Sequence, residues 1–584
     1  MKKIISLFLV LSLFGALLLG CSNSSGDSAG GTTADAAANA TADAAGSADA
    51  GDSDAQDTEK KESSTSDGEV KYTPVGEFPI TEEPVEMTLF TSQASQIIDH
   101  QTNDFTLDQE KRTNVIWTFE TAPADSVREK INLLFASGDL PDAFMGGDID
   151  DTRYGASEQM LMPLEDLIEE FMPNVSSIIK EYNMQGVITG VDGHIYGIPG
   201  FNDCYHCSYS RKMWVNTYHL EEMGAEVPET IDEFYELLKQ YKEYNPDGAP
   251  LIGCSDGWHG AVDSFIVNAF TFDPGMYTKT KEYLDKKENK VVSTLTNPDY
   301  KEALAFLNKL YSEGLIYEGS FTMKNDQLKA VLAEEGEPAL FVPGGATINM
   351  IDNVTTPELY SHYYPISPLE GPNGVRQIPF GEFDAVAGMR FVLTKDCKYP
   401  QAALRWADWF YTQENNATSN FGPEGDGWAK PDAGALGLDG NPAKIKMLAE
   451  YSNEPQNHDW QDHPIIWAPS TDRLSLQMET DVDIFSSAGL EKLLYVASYE
   501  LYEPFAPADV GVMPPVKLLV EESESIQTIK VELDKYAEES MIRFIMGDLN
   551  LDNDWDAYID SLESIGLQTY LDVYQTAYTR QYGG

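Results

Sequence analysis

Basic residues are the clearest shortage in this chain. Its 584 residues carry 39 Lys and Arg against 96 Asp and Glu, for a formal net charge of −57. A surface of that sign repels phosphate backbones and anionic headgroups, which argues against a nucleic-acid binder or a protein held to a membrane by charge. Cysteine is scarce too. Beyond Cys21 the chain has Cys204, Cys207, Cys254 and Cys397, for which three pairings or free thiols stay open. No second Cys or His pair follows Cys204-Tyr205-His206-Cys207 at zinc spacing, so that motif reads as a disulfide or two thiols and no metal is assigned. A membrane span is missing as well. The long apolar run Ile4 to Leu19 falls short of the roughly 20 residues a helix needs to cross a bilayer.

That run has another reading. Lys2 and Lys3 precede it and small Gly20 follows it, the order of an export signal over residues 1–20. Leu18-Leu19-Gly20-Cys21 resembles the lipobox of bacterial lipoproteins. The resemblance implies that Cys21 is lipidated, becomes the mature N-terminus, and anchors the protein to the outer face of the cell membrane. Residues 22 to about 72 are Ala, Gly, Ser, Thr and Asp with almost no large apolar side chain. Such a composition buries too little to offset its ordering entropy, so it is expected to be a disordered acidic tether.

From about Thr73 the pattern changes. Val85, Met87 and Leu89 alternate with polar residues, as do Val115, Trp117 and Phe119, and both stretches predict strands. Ser126 with Glu129 predicts a capping box, Val127, Ile131, Leu134 and Phe135 share a helix face, and Gly138 ends it. Ala143-Phe144-Met145 is a further short strand. Helices follow from Ile231, from Pro298, near Ala403 and from Asp554, with strands predicted at Ala339 to Val342 and Phe391 to Thr394. Strands and helices interleaved in this way predict an α/β protein with mostly parallel sheets.

At these residues the chain resembles the extracellular solute-binding proteins of ABC transporters, and among them the large lipoproteins associated with oligosaccharide uptake. Four blocks carry the likeness: Lys130 to Asp142, Asp192 to Pro199, Arg211 to Tyr241 and Pro400 to Trp428. Two departures stand out. Met213 occupies the Asp position of the family's Arg-Lys-Asp-Trp, and Asn245-Pro246-Asp247-Gly248 replaces an Asp-rich loop, so no calcium site is carried over. The resemblance implies a two-lobe periplasmic-binding-protein-like fold of type II, with the ligand in a cleft between lobes that are discontinuous in sequence. Lobe 1 would take about 73–200 and 385–470, and lobe 2 about 201–384 and 471–584. It further implies a monomer that closes on an oligosaccharide, delivers it to permease subunits of an ABC transporter, and uses neither cofactor nor catalysis.

Sugar recognition needs flat apolar faces for rings and polar groups for hydroxyls, and loops on a rigid scaffold usually present them. Asn202 and Tyr205 follow the Pro199-Gly200 turn, where the chain should cross between lobes. Trp258 and His259 lie in a Gly-rich loop, Glu424 and Trp428 lie in another, and Gly344 with Gly345 would admit a ligand close to backbone. These eight are the candidate ligand-binding residues; Trp406, Trp409 and Trp555 read as core. Rival signals are weaker. Gly253-Cys254-Ser255-Asp256-Gly257 fits the nucleophile-elbow pattern of an esterase, and so many acids leave room for a glycosidase pair. The same fold could also hold a peptide or another solute. Asp548 to Asp554 imitates the start of a calcium loop but lacks its glycine and final Glu, so helix capping is the expectation.

Overall fold

Val85, Met87 and Leu89 of β1 (Val85–Gln93) stand level with Val115, Trp117 and Phe119 of β2 (Val115–Pro123). The two strands are parallel, so a crossover must join them, and helix Asp104–Thr113 supplies it. Helix Val127–Ser137 then carries the chain over to β3 (Ala143–Met145), parallel to β1 on its other side. Gly138 ends that helix at φ +74°, as expected. The capping box does not form: Ser126 donates its hydroxyl to the Pro123 carbonyl instead, because a tight turn there uses the side chain first.

The computed structural model describes residues 70–583, apart from 95, 125, 148, 276–277, 335–337, 352–355, 382–384, 450–454, 462, 479–480 and 487–488. The export signal, Cys21 and the acidic linker up to residue 69 lie outside the described residues; Tyr72, near the expected end of the linker, already bridges Thr81. The remaining strands, in chain order, are β4 (Ile198–Asn202), β5 (Met213–Asn216), β6 (Ala249–Leu251), β7 (Glu282–Asp285), β8 (Lys290–Ser293) and β9 (Ala339–Pro343). After them come β10 (Tyr363–Pro365), β11 (Val386–Leu393), β12 (Trp428–Ala429), β13 (Lys446–Met447), β14 (Trp467–Ala468) and β15 (Val510–Val512).

Two sheets organise the molecule. The first runs β14-β4-β11-β3-β1-β2 and the second β10-β5-β9-β6. Each is parallel but for one strand: β11 opposes β3 and β4, and β5 opposes β10 and β9. Both exceptions are strands that the chain enters directly from the other sheet, β5 from β4 and β11 from β10. A third passage leads from β14 to helix Leu490–Tyr495, whose Leu493 and Leu494 pack in the core of the second sheet's body. This is the two-lobe α/β architecture that the sequence implies.

Aromatic packing fills the first body. Trp406, 1% exposed, meets Trp117, Phe391, Phe410 and Trp460 at ring separations of 5.4, 5.9, 5.1 and 6.0 Å. In the second body, helix Ile231–Tyr244 begins with a capping box: Thr230 accepts from the Glu233 N–H, and Glu233 accepts from the Thr230 N–H. Its Phe234 packs on Phe341 of β9. Helices Val520–Met546, Leu551–Ile565 and Leu567–Tyr582 close over helix Pro298–Ser312 in the same core. Asn550 caps the second of these from its side chain, as the acid-rich sequence there suggests. Truncating Trp406 to Ala removes a ring with no route for collapse. A loss of about 3–5 kcal/mol in unfolding free energy by chemical denaturation is expected; a loss under about 1 kcal/mol would contradict this packing.

Candidate functional site

The ten residues from Asp203 to Lys212 join β4 to β5 and are mostly buried. They begin with a disulfide, Cys204 to Cys207, which settles the choice left open by the sequence; Cys254 and Cys397 are buried free thiols. Lys212 closes the loop. Its ammonium donates to the carbonyls of His206 at 2.7 Å and Tyr209 at 2.6 Å. Full burial beside the Arg211 guanidinium lowers its pKa to about 7. Burial also holds the imidazoles of His206 and His259 neutral, with Lys212 acting on both in the same direction.

This passage gathers six of the eight nominated residues. Asn202 ends β4, and its side-chain oxygen is buried with no hydrogen-bond partner among the described residues. Tyr205 donates to the Glu491 carboxylate at 2.8 Å and lies stacked under Tyr499 at 5.4 Å. His206 leads from Tyr205 to the half-buried ring of Trp258. His259 follows at φ 57°, the left-handed turn that folds this loop back. Gly344 donates to the Lys212 carbonyl and accepts from the Trp214 indole, while Gly345 donates to the Trp258 carbonyl. A Cβ on Gly345 would meet the Trp258 ring at 2.3 Å and one on Gly344 the Met350 sulfur at 2.4 Å, so both glycines serve close packing.

Glu424 and Trp428 lie elsewhere. Trp428 is 5% exposed in a small satellite core with Ala417 and Ile445, and its indole donates to Thr418. Glu424 bridges to Trp428 in the same hairpin. Three residues that sequence reasoning passed over join the first group. Tyr495 and Tyr499 are half-exposed and 5.1 Å apart, and Phe380 is exposed and stacked on Tyr209 at 4.9 Å. The i, i+4 spacing of Tyr495 and Tyr499 sets both rings on one helical face, a pattern that the sequence alone does not distinguish from a core face. Asp203 completes the group from below, accepting from the Ser470 N–H, while the Tyr499 side chain hydrogen-bonds Ser470.

The result is a seam of ring faces bordered by carboxylates and amides, drawn from all three passages between the sheets. Such a surface stacks on flat apolar ligand faces and accepts from hydroxyls. Metal and nucleophilic chemistry find less support. Cys204, His206 and Cys207 group their ligand atoms, but the disulfide occupies both sulfurs. Ser255 donates its hydroxyl to the Met323 carbonyl, and a turn follows it where an elbow needs a helix.

Residues 90–417 match the family of bacterial extracellular solute-binding proteins. The chain belongs to that family. It is 26% identical over 499 residues to the fructooligosaccharide ABC transporter substrate-binding protein FusA of Streptococcus pneumoniae, across 81% of this chain and 85% of FusA. It is 23% identical over 481 residues to the polygalacturonan/rhamnogalacturonan-binding protein YtcQ of Bacillus subtilis, across 80% of this chain and 86% of YtcQ. Among solved structures, an HMO-binding ABC-transporter-associated solute-binding protein from Bifidobacterium longum infantis shares the fold at TM-score 0.67 and 20% identity, covering 85% of this chain and 99% of that one.

Lys212 gives this solute-binding protein a testable pH dependence. A lysine whose pKa falls from 10.5 toward 7 on folding binds fewer protons in the folded than in the unfolded state between those values, so stability rises with pH there. Between pH 7 and 9 the wild type is expected to gain on the order of 1–2 kcal/mol from this group. Lys212→Met should flatten that rise in denaturation curves; an unchanged slope would remove Lys212 as its source.

Proposed function

We propose that this chain is the substrate-binding lipoprotein of an ABC importer, capturing an oligosaccharide between its lobes and handing it to membrane permease subunits. The convergence of Trp258, Tyr495, Tyr499 and Asp203 at the seam is the observation that carries the reading: ring faces and hydroxyl acceptors stand where the chain passes between its two sheets. The similarity to FusA and YtcQ supports a glycan as the solute. The lobes divide at about 200, 385 and 470, so that ligand touching both of them favours the closed arrangement and shifts the population toward it. A second contact joins the bodies away from the passages: Lys517 pairs with Asp151 at 2.5 Å, and Gln581 donates to the Gly186 carbonyl.

Cys21 carries the lipid in this reading, the acidic linker supplies reach, and the protein works as a monomer without catalysis. Glu424 and Trp428, in their separate hairpin, are not needed to hold the ligand in this reading. Isothermal titration against a panel of oligosaccharides should show binding without hydrolysis. Tyr499→Ala should weaken it about tenfold, or ~1.4 kcal/mol, and Cys21→Ala should move the protein from the membrane fraction to the medium. Glycan turnover by the pure protein would sink the receptor reading, and undiminished affinity in Tyr499→Ala would move the site away from this seam.

A further inference from the structure

The charged groups around the seam point to the kind of glycan it takes. Tyr205 is bonded to Glu491. Tyr495 and Tyr499 both lie within electrostatic reach of Glu503, Tyr495 also of Asp439 and Glu500, and Tyr499 also of Asp203. Glu503 reaches Tyr209 as well, and Asp203 with Asp472 reaches Tyr182, the ring packed on Phe201 at the end of β4. The cations facing the same rings are fewer and engaged. Arg473 holds its guanidinium 3.9 Å from the Cys204 sulfur, Lys492 lies over Tyr495 at 4.8 Å while donating to the Leu438 carbonyl, and Lys444 acts on Asp472.

We propose, building on the oligosaccharide reading above, that this site selects uncharged glycans and rejects those bearing carboxylates. A neutral sugar gains from the ring of acids, because each carboxylate accepts from hydroxyls through two oxygens. A uronate gains the same ring stacking but brings a like charge beside Asp203 and Glu503, and specificity follows from that repulsion. The excess of acid over the whole chain adds to the effect, since long-range potential of this sign lowers the encounter rate of any anionic ligand. Family resemblance does not decide the matter, as the named ligands of FusA and YtcQ differ in charge.

The test measures affinity of the full chain for length-matched neutral and acidic oligomers, fructo-, xylo-, manno- and cello-oligosaccharides against oligogalacturonate and oligoalginate. The site is expected to bind at least one neutral oligomer and to bind the uronates at least about tenfold more weakly. Raising salt from about 10 to 500 mM screens the repulsion, so uronate binding should improve while neutral binding stays level. Glu503→Lys, at an exposed position, should narrow the gap several-fold. Uronate binding that equals or exceeds neutral binding and weakens with salt would overturn the charge selection yet leave a glycan receptor standing. Binding of a peptide or other non-glycan solute, with no sugar of either kind bound, would overturn both.

Discussion

Everything at the seam hangs on how the passage from β4 to β5 is held. A ten-residue connection mostly buried between two sheets leaves few of its carbonyls to water, and the buried ones need partners. Lys212 answers for two of them with one ammonium, at His206 and Tyr209. Its own carbonyl accepts from Gly344, so one residue fastens the passage to the loop after β9. An ionised lysine is costly in such a place, and the depressed pKa measures that cost. What the cost secures is position: Tyr205 and Trp258 are set on either side of His206, and the Cys204–Cys207 bridge fixes the turn that carries Tyr205 and His206.

The topology explains why function collects there. In each sheet a single strand runs against its neighbours, and in each case it is the strand the chain has just entered from the other sheet. Reversal of direction lets one connection be short enough to act as a joint, since no helical crossover has to intervene. Short joints carry little slack. Side chains rooted in different joints are thereby held close to one another. Tyr499, on the helical segment after the third passage, and Asp203, in the first, meet at Ser470 for that reason.

Much of the fold was legible because local pattern and final packing agree. The apolar positions of β1 and β2 face one another in register, and the Thr230 capping box forms as its spacing dictates. The site was legible in part. Asn202 and Tyr205 stood out after the Pro199-Gly200 turn and Trp258 in a Gly-rich loop, and they converge. Trp428 stood out by the same rule, yet it is buried with Ala417 and Ile445, because a pair of two-residue strands has little else large enough to build a core. Tyr495 and Tyr499 were missed for the opposite reason. On a helix, aromatic residues at i and i+4 usually mark a face turned inward, and only the third passage between the sheets turns this face toward the seam.

Charge links the body and the seam. Most acids on this chain are solvated and distant, so salt screens them within about 10 Å. At the seam they are not distant, and burial of the Tyr205 ring beside Glu491 lowers the local dielectric in which they act. Glu491 thus orients the Tyr205 phenol, and in the selection proposed above the acids of the seam also set the sign of the field a ligand meets on arrival. A chain with so large an excess of acid can keep its surface soluble and unattractive to anionic membranes with one kind of residue, and in the selection proposed above the seam extends that economy to the choice of solute.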